Sequence, residues 1–350
     1  MSPVETDDMA DPAEQTRAGA NKMKDKPNND FKCDLCGSRG FKTLYDKAEN
    51  NGTILKCLSC GFIFIYPQSR DEKELTSYYQ ESSAINDNDL ARLNKKINRL
   101  NLPIRKIMLK EFYGYRNISP SPDGGLDKIL AFLLMPFFGK DIIPFQGQGK
   151  ILDIGCGSGL SLVLLKSIGW DVYGVEVNTF ACDYASKMGI KMFCGKLEDA
   201  DFAPGYFDVI KITHVIEHVP SPDRIFAEMK RILKPGGKIY LETPNVRSFA
   251  AGCFKENWLG MGGHISGFSA QTLSFIGKKH GFSVKKTRFK SGKGTVLDAL
   301  NYFWKNTAKR PLPDFILKNK VFQALIVKPL CVLLNLLRKG DAVSVVFILD

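Results

Sequence analysis

The sequence predicts an α/β protein: a doubly wound, mainly parallel seven-stranded sheet, preceded by a small module that contains four paired cysteines. Three observations support this prediction. From residue 150 onward, short apolar runs alternate with helical patterns, as in a parallel sheet covered by helices on both faces. A glycine-rich loop follows the first apolar run, at 153–159. Two C-x2-C pairs lie near the N-terminus, at 33–36 and 57–60.

The composition is that of an ordinary globular protein. Hydrophobic residues make up 44% and charged residues 25% of the 350, which excludes collagen-like and wholly disordered chains. The net charge of +12 favours an anionic partner, either nucleic acid or an acidic membrane surface. No run of 18 uncharged apolar residues is present, so a conventional membrane span is not expected.

The cysteines predict a structural zinc ribbon. There are nine, an odd number, and the two close pairs favour a reduced compartment and a metal site over a disulfide framework. The expected zinc ligands are Cys33, Cys36, Cys57 and Cys60. Since all four are cysteines, a closed structural site is expected and not an open catalytic one. Four unrelated buried cysteines are the alternative. Whether the ribbon binds nucleic acid, binds an acceptor or only folds the N-terminus stays open.

Four regions are predicted along the chain. Residues 1–30 hold seven acids, four bases and few large apolar side chains, so we expect a disordered tail without a secretory signal. The zinc ribbon is expected at 31–68, with short strands at 43–45 and 53–55. A helical linker or substrate-side region follows at 69–147. The α/β domain spans 148–350 and includes a basic, apolar helical insertion at 290–340.

Within the α/β domain the elements follow in a regular order. Strands are predicted at 150–155, 171–178, 191–197, 207–215, 238–243, 282–289 and 343–349. Helices are predicted at 157–168, 179–188, 221–233 and 270–280. Ligands of such sheets bind at the carboxyl ends of the strands, near the switch in strand order.

The loop after the first strand reads DIGCGSG. Its glycines allow the backbone to approach a ligand closely, and the following helix N-terminus supplies N–H donors. The dinucleotide fingerprint G-x-G-x-x-G is not met, because the sixth position counted from Gly155 is Leu160. Glu176 ends the second strand, where a carboxylate can accept both hydroxyls of a ribose. No P-loop lysine follows the glycines.

Four ordered motifs resemble the class I S-adenosylmethionine-dependent methyltransferases. They are LDIGCGSG (152–159), VEVN (175–178), FDVIKITHVIEHV (207–219) and LKPGGKIYLETPN (233–245). The resemblance covers about 148–290 and the final strand, and it implies a Rossmann-like methyltransferase sheet. In pattern the chain is most similar to ubiquinone-biosynthesis O-methyltransferases and to methyltransferases of polysaccharide and natural-product pathways. A four-cysteine ribbon before this fold also resembles deoxysugar C-methyltransferases.

This resemblance implies S-adenosyl-L-methionine as the cofactor. The acid and glycines of the loop would line its methionine and ribose, and Glu176 would hold the ribose diol. Leu197 and Glu198 would flank the adenine, although a solvated loop acid is the alternative for Glu198. The cofactor-binding set is therefore Asp153, Gly155, Gly157, Gly159, Glu176, Leu197, Glu198 and His214. Cys156 is interpreted as a small loop residue and not as a nucleophile.

Acceptor chemistry is expected from Glu217, His218 and His264. An acceptor hydroxyl benefits from a nearby base, and histidine suits proton transfer near neutral pH. A purely structural role for His218 is the alternative, and His280 is expected to be structural. In the quinone-pathway relatives this region contributes to a divalent metal site. In this sequence His214 replaces the first acid of that pattern, so the resemblance does not establish metal dependence.

The insertion at 290–340 combines cations with apolar residues. Such a segment suits an anionic lipid surface, and 129–138 could join the same face. The alternative is a lid or a dimer core. Pro329 is expected to divide the insertion's apolar run into two helices.

The leading hypothesis is a methyltransferase that acts, at oxygen, on a small-molecule or lipid-linked sugar or quinone-type acceptor. It would be cytoplasmic, either in solution or peripheral on the membrane. The alternatives are an RNA methyltransferase, a sugar C-methyltransferase and a non-catalytic partner protein that binds the cofactor. Nucleic acid is disfavoured as a partner, because no basic platform interleaved with aromatic residues is evident.

Overall fold

The computed structural model describes residues 30–46, 52–67, 87–115, 118, 125–138, 142–255, 257–260 and 263–350. The tail predicted at 1–30 lies outside these ranges except for its last residue. Residue 68 of the predicted ribbon and residues 69–86 of the predicted linker also lie outside them.

The N-terminal cysteine module is a small antiparallel sheet, which we call the ribbon. Its strands are β1 (Phe41–Tyr45), β2 (Thr53–Cys57) and β3 (Ile63–Tyr66). The first two were predicted from sequence, whereas β3 was not. Each cysteine turn is followed by a glycine with positive φ, 69° at Gly37 and 76° at Gly61, as the knuckle interpretation requires.

The larger sheet confirms the predicted fold class, an α/β, doubly wound and mainly parallel arrangement of seven strands. The strands are β4 (Lys150–Ile154), β5 (Asp171–Glu176), β6 (Lys191–Cys194), β7 (Phe207–Thr213), β8 (Leu233–Pro244), β10 (Phe282–Lys290) and β11 (Ala342–Leu349). Their order is β10-β11-β8-β7-β4-β5-β6, and only β10 and β11 introduce antiparallel pairs. The two-residue strand β9 (Ser266–Gly267) instead joins the ribbon, on β3. The switch in strand order lies between β4 and β7, which is where a ligand is expected.

Helices cover both faces of this sheet because its central strands are apolar on both sides. Ile151 and Val209 pack with one set of helices, while Leu152 and Ile210 belong to the core on the other face. The helices before β8 are α1 (Asp87–Leu100), α2 (Pro103–Tyr113), α3 (Gly125–Phe138), α4 (Leu160–Lys166), α5 (Thr179–Lys187) and α6 (Pro222–Ile232). Those after it and before β10 are α7 (Phe249–Phe254), α8 (Asn257–Gly260) and α9 (Ala270–Lys279).

The predicted insertion is helical, but its expected break is absent. It contains α10 (Lys293–Ala308), α11 (Asp314–Lys318), α12 (Lys320–Phe322) and α13 (Lys328–Leu336). A π-helical turn, Gln323–Val327, joins α12 to α13, and the Lys328 N–H donates to the carbonyl of Gln323, five residues earlier. Pro329 follows this wider turn as the second residue of α13, and the helical backbone continues through it. The prediction that Pro329 divides the segment is therefore wrong.

Two further observations concern the length of the helices and the pairing of the cysteines. Among the residues that the structure describes, no helix is both long enough and apolar enough to cross a membrane. Cys182 and Cys194, which lie outside the two C-x2-C pairs, form a disulfide that the expectation of a reduced compartment did not predict.

Candidate functional site

The glycine loop between β4 and α4 presents open backbone at the switch in strand order. Gly155 has a φ of 65°, and a Cβ there would collide with the side chain of Val215. Gly157 has a φ of 53°, and a Cβ there would meet nothing within 4 Å. The loop therefore packs against the protein at Gly155 and opens at Gly157, where a ligand can approach the main chain.

Glu176 holds this loop from the neighbouring strand. Its Oε2 accepts the N–H of Gly157 at 2.8 Å, and its Oε1 accepts the N–H groups of Val177 and Asn178 at 2.9 and 3.0 Å. A carboxylate offers about four lone pairs, so about one is left for a ribose hydroxyl. For Glu176 to accept hydrogen bonds from both ribose hydroxyls, as predicted, one of the three backbone N–H groups must release its bond.

Asp153 lies beneath the loop in an ion pair that the sequence analysis did not foresee. Its Oδ2 accepts from Lys211 Nζ at 2.7 Å and from Ser161 Oγ at 2.8 Å, and its side chain is 2% exposed. Lys211 interrupts the apolar strand β7, and that interruption was the available signal. The structure thus places Asp153 as a support for the loop and gives it no solvent-facing surface.

The remaining predicted cofactor residues border the same edge of the sheet. Leu197 is buried and Glu198 is exposed on a short turn after β6. His214 directly follows β7 with a φ of 55°, and its N–H donates to the carbonyl of Glu242 at 2.9 Å. Burial raises the pKa of the Cys156 thiol, which is the opposite of what a nucleophile needs.

A nucleoside cofactor fits this arrangement. The open backbone at Gly157 and the nearby carboxylate of Glu176 are groups that a ribose can bind, whereas Leu197 is 2% exposed and, like Asp153, presents little surface to a ligand. They stand at the ends of β4, β5 and β6, which are neighbouring strands.

Across the switch point, Glu217 organises the predicted acceptor side. It is 1% exposed; its Oε2 accepts from Thr243 Oγ1 at 2.9 Å and its Oε1 lies 3.3 Å from His214 Nδ1. The hydrogen bond that His214 donates to the Glu217 carboxylate raises the pKa of His214. Burial alone would raise the pKa of Glu217, but the bond from His214 and the charge of His218 outweigh it and lower that pKa. Thr243, on β8, is a partner that sequence reasoning missed.

His218 and His264 come together from two different loops. Their ring centroids are 4.9 Å apart. His218 Nδ1 lies 3.2 Å from the carbonyl oxygen of Gly263, which can only accept, so Nδ1 carries a proton. In the neutral ring, Nε2 is then the basic nitrogen. His280 lies elsewhere, 2.7 Å from Asp223, in keeping with the structural role expected for it.

Within the part of the chain that the structure describes, two groups of side chains could hold a metal ion. In the ribbon, Sγ of Cys33 lies 3.6 Å from that of Cys60, and Sγ of Cys36 lies 3.5 Å from that of Cys57. Tetrahedral zinc with sulfur ligands at about 2.3 Å sets its sulfurs about 3.8 Å apart, so this set fits zinc. The second group is Glu217, His218 and His264, whose ligand atoms lie within 4.8 Å of one another.

Comparisons with known proteins agree with this geometry. Residues 125–287 match a methyltransferase domain family. The chain is 33% identical over 109 residues to the ubiquinone biosynthesis O-methyltransferase of Thiobacillus denitrificans, covering 29% of this chain and 47% of that protein. It is 37% identical over 112 residues to the enzyme of that name from Idiomarina loihiensis, covering 29% and 46%. The chain spans about half the length of these relatives.

Solved structures include similar chains. One is a SAM-dependent methyltransferase from Thermotoga maritima, described as a possible histamine N-methyltransferase. It has a TM-score of 0.42 and 18% identity, and the match covers 75% of this chain and 99% of that one. Residues 125–287 thus match a methyltransferase domain family, and the order of the strands and the glycine loop are in keeping with that match.

Proposed function

We propose that this protein is an S-adenosylmethionine-dependent methyltransferase that acts on an oxygen acceptor. The observation that carries the proposal is the pairing of the Gly157 main chain with the Glu176 carboxylate, at the ends of two adjacent strands. An acid and an open backbone side by side are groups that the ribose of a nucleoside cofactor can bind, which supports the proposal. The relatives named ubiquinone biosynthesis O-methyltransferase support oxygen as the accepting atom.

The chain's own residues would orient and deprotonate the acceptor. When bound, the cofactor supplies a methyl group already activated by its sulfonium. The Nδ1–H of His218 donates to the Gly263 carbonyl, so Nε2 is the nitrogen without a proton in the neutral ring. Nε2 can therefore take the proton of the acceptor hydroxyl. Glu217 holds its loop from a buried position, and His264 borders the same space. Methyl transfer needs the acceptor oxygen in line with the methyl and sulfur, so positioning is the larger task.

Cofactor binding tests the first half of the proposal. Calorimetry with S-adenosylmethionine and S-adenosylhomocysteine should show binding, and Glu176→Gln should weaken it about tenfold by removing a charged acceptor. Asp199→Asn, a change at an exposed acid on the turn after β6, is the matched control and should bind as the parent does. Absence of binding by the parent protein contradicts the proposal.

The acceptor class is tested with labelled methyl donor and extracts of the source organism. Label in a lipid-soluble product, lost in His218→Ala and His264→Ala, supports the proposed acceptor. Label in RNA supports the RNA methyltransferase alternative. Label on a sugar carbon supports the C-methyltransferase alternative. Cofactor binding without any labelled product indicates the non-catalytic partner protein.

We also propose that the insertion rests on an anionic membrane and that the acceptor is lipid-linked. Phe315, Leu325 and Leu336 are 73%, 68% and 75% exposed, close in sequence to Lys318 and Lys328. Each base near an acidic surface adds about 1 kcal/mol of attraction. The insertion adjoins the segment before the 263–268 loop: Tyr302, on α10, lies 5.0 Å from Phe254 between ring centroids.

Vesicle flotation tests this membrane proposal. The protein should float with vesicles containing phosphatidylglycerol and not with neutral phosphatidylcholine alone. The double variant Phe315→Glu/Leu325→Glu should stay in the lower fraction, while Phe275→Glu, a change at an exposed apolar residue of α9, should float like the parent. Concentration-dependent dimerisation abolished by the double variant, without flotation of the parent, indicates a dimer core instead.

The metal content follows from the two side-chain clusters. We propose one structural zinc in the ribbon, which mass spectrometry under native conditions should detect and which Cys57→Ser should remove. A divalent ion at Glu217, His218 and His264 is the second possibility for that cluster, favoured by its compact ligand atoms. Paramagnetic broadening of the His218 and His264 signals by Mn²⁺ would support the ion; unchanged signals would support proton transfer by His218.

A further inference from the structure

The ribbon shares a sheet with the loop that bears His264. Strand β9, in the 263–268 loop, pairs with β3, with Ile63 opposite Gly267 and Phe64 opposite Ser266. The N–H of Ile65 also donates to the carbonyl of Ile265 at 3.0 Å. Backbone hydrogen bonds thus attach the acceptor side of the site to a distant part of the sequence.

A second contact joins the ribbon to the loop that bears His218. Asp34 stands between the zinc ligands of the first cysteine pair, and its Oδ1 accepts from Ser221 Oγ at 2.7 Å. Its Oδ2 accepts from the N–H of Asp223 at 3.0 Å. Ser221 is the N-cap residue of α6 and makes no side-chain cap bond itself. Asp34 therefore caps that helix from outside it.

The two anchored loops are bonded to each other at the site. The N–H of Ile265 donates to the carbonyl of Glu217 at 3.0 Å, and His218 Nδ1 donates to the carbonyl of Gly263. The relative position of His218 and His264 is thus fixed by short hydrogen bonds between loops that the ribbon holds from both sides.

Packing makes the same connection through the core. Phe62, which follows the second cysteine turn, packs against Phe268 with the rings tilted at 45° and their centroids 5.3 Å apart. Cys33 and Cys57 belong to the same buried cluster as Phe268 and Ile276 of the methyltransferase domain. A continuous core leaves no hinge between the ribbon and the site.

We propose that the ribbon positions the acceptor side of the site, with Asp34 as a positioning residue. Zinc bound by the four cysteines would fix the turn at 33–36, and that turn presents Asp34 to the loop at 221–223. That this side of the site binds the acceptor rests on the proposed function, but the positioning of His218 and His264 by the ribbon does not.

Histidine NMR of the full-length, zinc-loaded protein tests this inference without acceptor or cofactor. The chain has four histidines, so 13Cε1–H spectra are simple to assign. Asp34→Ala should shift and broaden the His218 and His264 signals. Asp34→Asn should have a smaller effect, because its amide keeps one acceptor oxygen. Asp30→Ala is the matched control: Asp30 is 92% exposed and pairs only loosely with Arg39, at 3.9 Å, so its removal should change neither signal.

Hydrogen exchange provides an independent measurement. In Asp34→Ala, the amide of Ile265 should exchange about fivefold faster, the factor expected for loss of one helix cap. Cofactor affinity should stay as in the parent, since the glycine loop is untouched. Parent-like histidine signals and parent-like exchange at 263–268 in Asp34→Ala would overturn the inference. That result is distinct from failure to bind the cofactor, which concerns the proposed function alone.

Discussion

Lys211→Met should remove the buried cation that supports the glycine loop. Lys211 Nζ lies 2.7 Å from Asp153 Oδ2, and the two side chains are 24% and 2% exposed. Without the lysine, Ser161 Oγ is the remaining partner of that oxygen, at 2.8 Å. Breaking one side of a buried pair costs about 3–5 kcal/mol. Because Lys211 is partly solvated and Ser161 remains, we expect a loss of about 3 kcal/mol in the free energy of unfolding.

Urea unfolding followed by circular dichroism measures this loss, and Lys191→Met is the matched control. Lys191 makes a pair with Asp171 at the same 2.7 Å, but the side chains are 58% and 38% exposed, so its loss should cost less than about 1 kcal/mol. The neutral double variant Asp153→Asn/Lys211→Met should recover much of the stability. Equal losses in the two lysine variants would refute the reasoning that burial decides the value of the pair.

Three further predictions concern titration and cysteine chemistry. Burial raises the pKa of the Asp341 carboxyl from 3.8 to about 6, because the charged form is poorly solvated in the folded protein. The folded protein therefore loses stability as the pH rises from about 4 to about 6. Asp341→Asn should therefore raise the free energy of unfolding at pH 7 by up to about 3 kcal/mol and have little effect at pH 4, measured by urea unfolding. An NMR titration should show the raised pKa of His214 as a value above 6.5, and this pKa should fall in Glu217→Gln. The His214–Glu217 pair contributes its full stability below pH 6.5, and this contribution is lost as the pH rises through the pKa of His214 in the folded protein. Alkylation without reduction, followed by mass spectrometry, should leave Cys182 and Cys194 unmodified, and modification of both would contradict the disulfide.

Sequence periodicity was sufficient for the main sheet because each strand there is a local apolar run. The strand β9 carried no such signal: two residues pair with β3 only because the fold brings together segments about two hundred residues apart. The same holds for Asp34, whose partners lie at 221–223. Long-range hydrogen bonds of this kind leave no pattern in the neighbouring residues.

The candidate site was predicted by residue type better than by contact. The glycines, Glu176 and the three acceptor-side residues lie at the edge of the sheet where they were expected. The position of Asp153 differs from the prediction that it contacts the cofactor, because Lys211 on β7 pairs with its carboxylate, which is buried. Pro329 differs because a wider helical turn before it removes the need for its N–H. Both outcomes depend on partners that a one-dimensional pattern does not specify.

The helical insertion leaves and rejoins the sheet at one rung of the ladder. Lys290, the last residue of β10, is paired with Ala342, the first of β11. A tight turn could close the same gap, and chain length between fixed ends costs little, about 0.6 kcal/mol per doubling. Insertion, lengthening or deletion of this segment would therefore leave every strand of the sheet with the same neighbours.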